Sequence, residues 1–241
     1  MTEDAYWQDF FKLHRGLPRE GPGLPEDVAW AAATAGVVPT ARILDAACGP
    51  GADLAALRAA APEGHIRAVE KVAQFAEAAR KRAGSDPRVA VATGDMMAET
   101  GPFDFIWCAG AVYFPGVRGA LEGWRAALAP GGAIAFSQVC WFTKNASVRA
   151  HGFWANYGDM TDEAGVAAQI GAAGYSILGK RRLSDAAWEA YYTPLDAAVL
   201  ALRSTETGTM ATVLDQAEEE ADVWRGDRDN FGYTLFVVHP A

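Results

Sequence analysis

The first strong periodicity along the chain places Trp7, Phe10, Phe11, His14 and Leu17 at helical spacing, so residues 5–17 are predicted to form an amphipathic helix. Three prolines and two glycines between Leu17 and Pro25 interrupt it. Pro25 followed by Glu26 and Asp27 marks a new helix start, with proline at the first helical position and acids beside the positive end of the dipole. That helix runs to about Gly36. Short apolar runs then alternate with helical ones. Strands are predicted over 42–46, 65–70, 88–92, 103–108 and 132–139, and helices over 52–60, 72–83 and 118–128. Apolar strands separated by helices of about ten residues imply βαβ units and a parallel sheet. The last third reads differently. Helical stretches near 161–173 and 194–203 flank a strand at 175–183, residues 184–228 form a helical cap, and an apolar run at 233–239 closes the chain.

Composition narrows the class. The 241 residues are 51% hydrophobic, an ordinary globular balance, and their number suits one domain spanning 1–241. Lysine and arginine number 21 against 30 acids, a formal charge of −9. That charge argues against binding a polyphosphate backbone or docking on an anionic membrane. No apolar run reaches the roughly 18 residues that span a bilayer, and the acidic N-terminus lacks a signal-peptide pattern. Cys48, Cys108 and Cys140 are too few and too scattered for a disulfide frame, so they read as reduced thiols of a cytoplasmic protein. The oligomeric state is left open.

The most informative segment is Ile43-Leu-Asp-Ala-Ala-Cys-Gly-Pro-Gly-Ala-Asp-Leu-Ala-Ala-Leu57. A strand ends there, a small-residue turn follows, and a helix begins. In a doubly wound sheet, ligands bind at that place, beyond the carboxyl end of the first strand. Glycines let the backbone approach a ligand where a Cβ would collide. Nineteen residues after Gly51 the next strand ends on Glu70, which can accept both hydroxyls of a ribose. A dinucleotide fingerprint would carry a third glycine after Gly49 and Gly51, and Ala52-Asp-Leu54 lacks it. Asp45, ahead of the turn, suits a ligand with a positive amino group. This favours S-adenosylmethionine over NAD.

The pattern D-x-x-x-G-x-G from Asp45, the acid Glu70, Gly94-Asp95-Met96, Phe103-Asp-Phe-Ile-Trp and Leu128-Ala-Pro-Gly-Gly132 resembles the class I S-adenosylmethionine-dependent methyltransferases. Leu17-Pro-Arg-Glu-Gly-Pro-Gly23, Trp141-Phe-Thr143 and Trp188-Glu-Ala-Tyr-Tyr-Thr-Pro194 are similar to a bacterial subgroup acting on small molecules. The resemblance implies an α/β, Rossmann-like seven-stranded sheet of order 3-2-1-4-5-7-6, with strand seven antiparallel and helices on both faces. It also assigns roles. Asp45 with the turn through Gly49 and Gly51 would hold the methionine part, Glu70 the ribose, and Asp95 and Met96 the adenine. Ala109 and Gly110 would face the ammonium. Ala47 stands where the family usually has glycine, so a left-handed backbone there would be strained.

The acceptor side is less defined. Tyr113 and Trp141 follow strands four and five, and Trp188, Tyr191 and Tyr192 share one helical face at i, i+3 and i+4. These five are the candidate substrate residues, and Tyr113 and His14 the candidate catalytic ones. Residues 1–23 are expected to act as a helical lid hinged at 18–23, with Arg19 reaching the cofactor's carboxylate. The cysteines read as small buried hydrophobes, so no metal site is expected, and Glu218-Glu-Glu220 reads as a solvated helix face. The function implied is in-line methyl transfer to a small molecule. A non-catalytic cofactor-binding module is the alternative, and a nicotinamide oxidoreductase ranks last for want of the third glycine and a hydride-transfer pair.

Overall fold

A computed structural model describes residues 2–155, 157, 160–205 and 207–241. Its centre is a seven-stranded sheet whose strands, counted along the chain, lie in the order 3-2-1-4-5-7-6. The parallel strands are β1 (Arg42–Ala46), β2 (His65–Glu70), β3 (Val89–Thr93), β4 (Phe103–Cys108) and β5 (Leu128–Trp141). β7 (Phe231–Pro240) inserts antiparallel between β5 and β6 (Tyr175–Arg182). Central strands buried on both faces read as continuous apolar runs, which is why β1, β2 and β4 have the boundaries expected from sequence. Helices α2 (Pro25–Ala35), α3 (Leu54–Ala60), α4 (Ala73–Ala83), α5 (Val117–Trp124) and α7 (Glu163–Ala172) accompany the sheet. Gly36 ends α2 in the left-handed conformation, at φ 68°.

Two apolar clusters flank the sheet. One holds Leu44, Ile106, Trp124, Ile134 and Phe236, the other Val28, Ile43, Leu57, Phe105 and Val237. A third sits beyond the carboxyl ends of β5 and the start of β7. It joins Val139 and Tyr233 to α1 (Glu3–Leu13), α6 (Val148–Trp154), α8 (Asp185–Arg203) and α9 (Thr209–Asp227). Among the described residues no helix is long and apolar enough to cross a membrane.

Of the boundaries that differ from the sequence expectation, three have a clear physical reason. The first helix ends at Leu13, and the predicted aromatic face divides. Leu13, His14 and Leu17 are buried while Trp7 is 44% exposed. The helix expected at 194–203 begins at Asp185 and runs through Pro194. Ser184 caps it by accepting from the Ala187 N–H at 3.2 Å. The stripe Trp188, Tyr191, Tyr192, Leu195, Val199 is buried along its length, and that burial outweighs the donor lost at proline. β5 extends past the expected Val139 to Trp141 because β7 pairs with it there, Trp141 opposite Phe231.

Candidate active site

Register aligns the carboxyl edge of the sheet. Ala46 lies opposite Val69, Glu70 opposite Thr93, and Asp45 opposite Trp107, so the segments after β1, β2, β3 and β4 open on one rim. The turn after β1 needs left-handed backbone at Ala47 (φ 59°), Gly49 (φ 53°) and Gly51 (φ 82°). Ala47 is the strained residue anticipated above, the one described non-glycine with positive φ. Gly51 is required for a further reason: a Cβ there would lie 2.7 Å from Leu54 Cδ1 and 3.1 Å from Ala79 Cα.

Glu70 fastens this turn from β2. Its Oε2 accepts from the Gly49 N–H at 3.0 Å and its Oε1 from the Val72 N–H at 2.7 Å. Each oxygen retains accepting capacity for a ribose hydroxyl. Asp45 is buried, and its Oδ2 has no hydrogen-bond partner. Burial, then the charges of Asp53 and Glu70, hold its carboxyl well above the usual carboxylate range. Asp53 is occupied, accepting from Trp107 Nε1 at 2.9 Å and from Arg19 Nη2 at 3.4 Å. Arg19 is thereby held against the start of α3.

At the β3 end, Asp95 is exposed and caps a turn by accepting from the Met97 N–H at 2.8 Å. Met96 is buried, and its carbonyl accepts from Trp124 Nε1 at 3.1 Å. After β4, Ala109 packs against the sheet cluster, and the Gly110 N–H donates to Ser137 Oγ at 2.8 Å. The cofactor positions named from sequence therefore gather on one rim.

The catalytic candidates separate. His14 is buried, stacks on Phe10 at 4.0 Å, and has Nδ1 2.7 Å from Glu20 Oε2. A carboxylate on one ring nitrogen fixes the ring's orientation. Glu20 also lies over the glycine turn, its Cγ 3.4 Å from where a Gly49 Cβ would be. Its Oε1 is buried without a partner, and burial raises its carboxyl against the opposing pull of His14. Tyr113 lies beside Tyr157, ring centroids 4.8 Å apart. Burial pushes its phenol up to about 12, so it stays protonated near neutral pH and is no base.

Trp141 packs between His151 (4.3 Å) and Phe231 (5.7 Å). Trp188, Tyr191 and Tyr192 all lie inside the third cluster, with Trp188 stacked on Trp224 at 5.0 Å. The acidic run on α9 is not a uniformly solvated face, which corrects the sequence expectation. Glu218 pairs with Arg203 and Glu219 lies 3.9 Å from Arg149 at the surface, whereas Glu220 turns inward and accepts from the Tyr192 hydroxyl at 3.2 Å. The signal was present: Val213, Ala217, Glu220 and Trp224 stand at i, i+4, i+7 and i+11, on one stripe. Glu20, Tyr157 and Tyr233 were also not anticipated from sequence, because their contacts with Gly49, Tyr113 and Trp188 respectively cross long stretches of chain. The three thiols are free and buried, burial pushing Cys140 up to about 12. Among the described residues no group of His, Cys, Asp or Glu could hold a metal ion.

Comparison with known proteins gives this rim a context. Residues 43–132 match the family model described as "Methyltransferase domain". No curated protein matches by sequence. A methyltransferase from Geobacter sulfurreducens, solved with S-adenosyl-L-homocysteine, superposes with TM-score 0.82 at 21% identity, covering 98% of both chains. One from Thiobacillus denitrificans with the same ligand gives 0.80 at 20% identity, over 100% of this chain and 99% of that one. The cyclase SpnF gives 0.75 at 16% identity, over 97% and 93%. Residues 43–132 thus match a methyltransferase-domain model, and the chain over its length has the fold of the class I S-adenosylmethionine-dependent methyltransferase structures.

Proposed function

We propose that this methyltransferase transfers the methyl group of S-adenosylmethionine to a small-molecule acceptor held between the sheet rim and helices α1, α8 and α9. The observation that carries the reading is the rim itself. A buried Asp45 oxygen without a partner, a left-handed turn at 47–51, and a Glu70 carboxylate beside that turn fit an ammonium and a ribose. Asp95 offers an exposed carboxylate at the adenine end. When bound, the cofactor supplies an electrophilic methyl carbon: the acceptor's lone pair forms the new bond, and the sulfonium C–S electron pair stays on sulfur as S-adenosylhomocysteine leaves.

The chain's own work is alignment and exclusion of water, which contribute most where the reacting carbon is already activated. Residues 2–23 form a lid over the glycine turn, with Arg19 near the methionine end of the cleft; Met1, the first residue of the expected lid, lies outside the described residues. His14, oriented by Glu20, takes a proton from an acceptor that arrives protonated. Tyr113, Trp141, Trp188, Tyr191 and Tyr192 wall the acceptor. The unpaired buried thiols support a cytoplasmic setting.

The test is incubation with methyl-labelled S-adenosylmethionine and a cell metabolite extract, followed by mass detection of the labelled product. A labelled small molecule whose formation drops at least about 100-fold in His14→Gln is expected, the lower end of general-base contributions being near 10²-fold. Binding of cofactor with no transfer to any metabolite would overturn the reading.

A further inference from the structure

Glu220 is out of keeping with its neighbours on α9. Glu218 and Glu219 are exposed and face arginines, as surface acids do. Glu220 is half-buried, and its hydrogen-bond donor is the neutral Tyr192 hydroxyl at 3.2 Å. Among the described residues no arginine or lysine pairs with it. A carboxylate withdrawn from water without a cation is costly unless one is supplied.

What surrounds it is aromatic. Tyr192 and Tyr191 have ring centroids 5.1 Å apart, Tyr191 lies 6.5 Å from the His14 ring, and Trp188 is 5.3 Å from Tyr233. The Tyr233 hydroxyl is 3.8 Å from where a Gly110 Cβ would sit, so this wall reaches the end of β4 on the cofactor rim. Glu220 is also near enough for its charge to raise the phenols of Tyr113, Tyr157, Tyr191, Tyr192 and Tyr233, burial being the larger cause for each. Its own carboxyl is raised by burial.

Resting on the function proposed above, we propose that Glu220 and the tyrosines around it form a subsite for the cationic nitrogen of the acceptor, making the acceptor class a small amine. Electron-rich ring faces attract an ammonium, and a desolvated carboxylate supplies its counter-charge. An alcohol leaves that carboxylate uncompensated, and a carboxylic acid adds a second negative charge to it. A bound ammonium sheds one proton before its nitrogen lone pair is free. His14, held by Glu20 and 6.5 Å from the Tyr191 ring, accepts that proton as neutral imidazole and returns it to solvent.

The test uses the full chain saturated with S-adenosylhomocysteine, so that binding is read without turnover. Calorimetry compares benzylamine, benzyl alcohol and benzoate, and then butylamine, butanol and butyrate. Each amine is expected to bind at least about tenfold tighter than its isosteres, and Glu220→Gln to erase that preference while leaving S-adenosylhomocysteine affinity unchanged. Equal or tighter binding of the alcohols or acids to the wild-type protein overturns the inference, as does an amine preference that survives in Glu220→Gln. Should Glu220→Gln fail to fold, the wild-type ranking alone decides. Failure of wild-type protein to bind S-adenosylhomocysteine counts instead against the function on which the subsite rests.

Discussion

Replacing Asp45 by asparagine should weaken the ligand complex and stabilise the empty protein, two effects of opposite sign from one atom. In the free fold the Asp45 carboxyl is buried, one oxygen is unpartnered, and burial with the Asp53 and Glu70 charges lifts its pKa well above the usual value. A group whose folded pKa lies above its unfolded one contributes most to stability below the unfolded value. That contribution is lost as pH rises through the folded value. Asparagine cannot ionise, so the apo variant should melt higher than wild type at neutral pH, by a margin that grows from acid towards neutrality. The complex responds the other way. An ammonium on the orphaned oxygen makes a hydrogen bond between charged groups, worth about 1.5–3 kcal/mol, so losing it weakens binding roughly 10–150-fold. Calorimetry of S-adenosylhomocysteine at about pH 5.5, 6.5 and 7.5 should show wild-type affinity rising with pH and the variant nearly flat, because binding draws on the ionised carboxylate. Affinity in Asp45→Asn within about twofold of wild type, or an apo variant that melts lower at pH 7.5, refutes the reasoning.

Ala47→Gly relieves a left-handed alanine, worth about 1–2 kcal/mol, but adds about 0.5–1 kcal/mol of chain entropy on unfolding. The net is a rise of up to about 6 °C in melting temperature, and a fall would show the turn is not strained. Glu70→Ala should cost S-adenosylhomocysteine binding about 1.5–3 kcal/mol by calorimetry, since it also frees the Gly49 and Val72 amides. Unchanged affinity would remove Glu70 from the ribose. Tyr192→Phe deletes the hydroxyl that holds Glu220 while keeping the buried ring, so acceptor turnover should change and cofactor affinity should not. Loss of both together would make Tyr192 a packing residue alone.

The cofactor half of the site was legible because one local rule repeats. Each strand of a parallel sheet ends on the same edge, so Asp45, Glu70, Asp95 and Gly110 share a rim once the strands are found. The acceptor half has no such rule. His14 with Glu20, Tyr157, Glu220 and Tyr233 come from four separated segments, and only packing brings them together. Glu20 was visible in Leu17-Pro-Arg-Glu-Gly-Pro-Gly23, but its contact with Gly49 depends on how that loop folds back. Tyr233 belongs to an apolar strand whose two faces both read as core. The extra length of β5, set by pairing with β7, carries Trp141 against the third cluster.

The N-terminal segment ties the two halves together, and its contacts predict motion. In the closed arrangement Gln74 Nε2 donates to the Phe11 carbonyl at 2.8 Å, Arg82 Nη1 to the Pro18 carbonyl at 2.7 Å, and the Gly23 N–H to the Ala187 carbonyl at 3.1 Å. These bonds are few, and water can replace each when the segment lifts. Within α1 only Leu13 is fully buried, with Tyr6 and Phe10 half-buried and Leu17 buried just beyond, so opening uncovers one edge of the third cluster and leaves its centre packed. Closure also leaves Glu20 Oε1 buried without a partner beside the glycine turn, a penalty that lifting removes. A ligand whose ammonium lies near that turn offsets the penalty and favours the closed state, which is the differential interaction a population shift requires. Amide exchange of residues 5–17 should therefore slow on adding S-adenosylhomocysteine, while the amides of α2 (Pro25–Ala35), packed on the far side of the Pro/Gly joint, keep their rates. If residues 5–17 are equally protected without ligand, the segment is static and the cleft must admit its cofactor by another route.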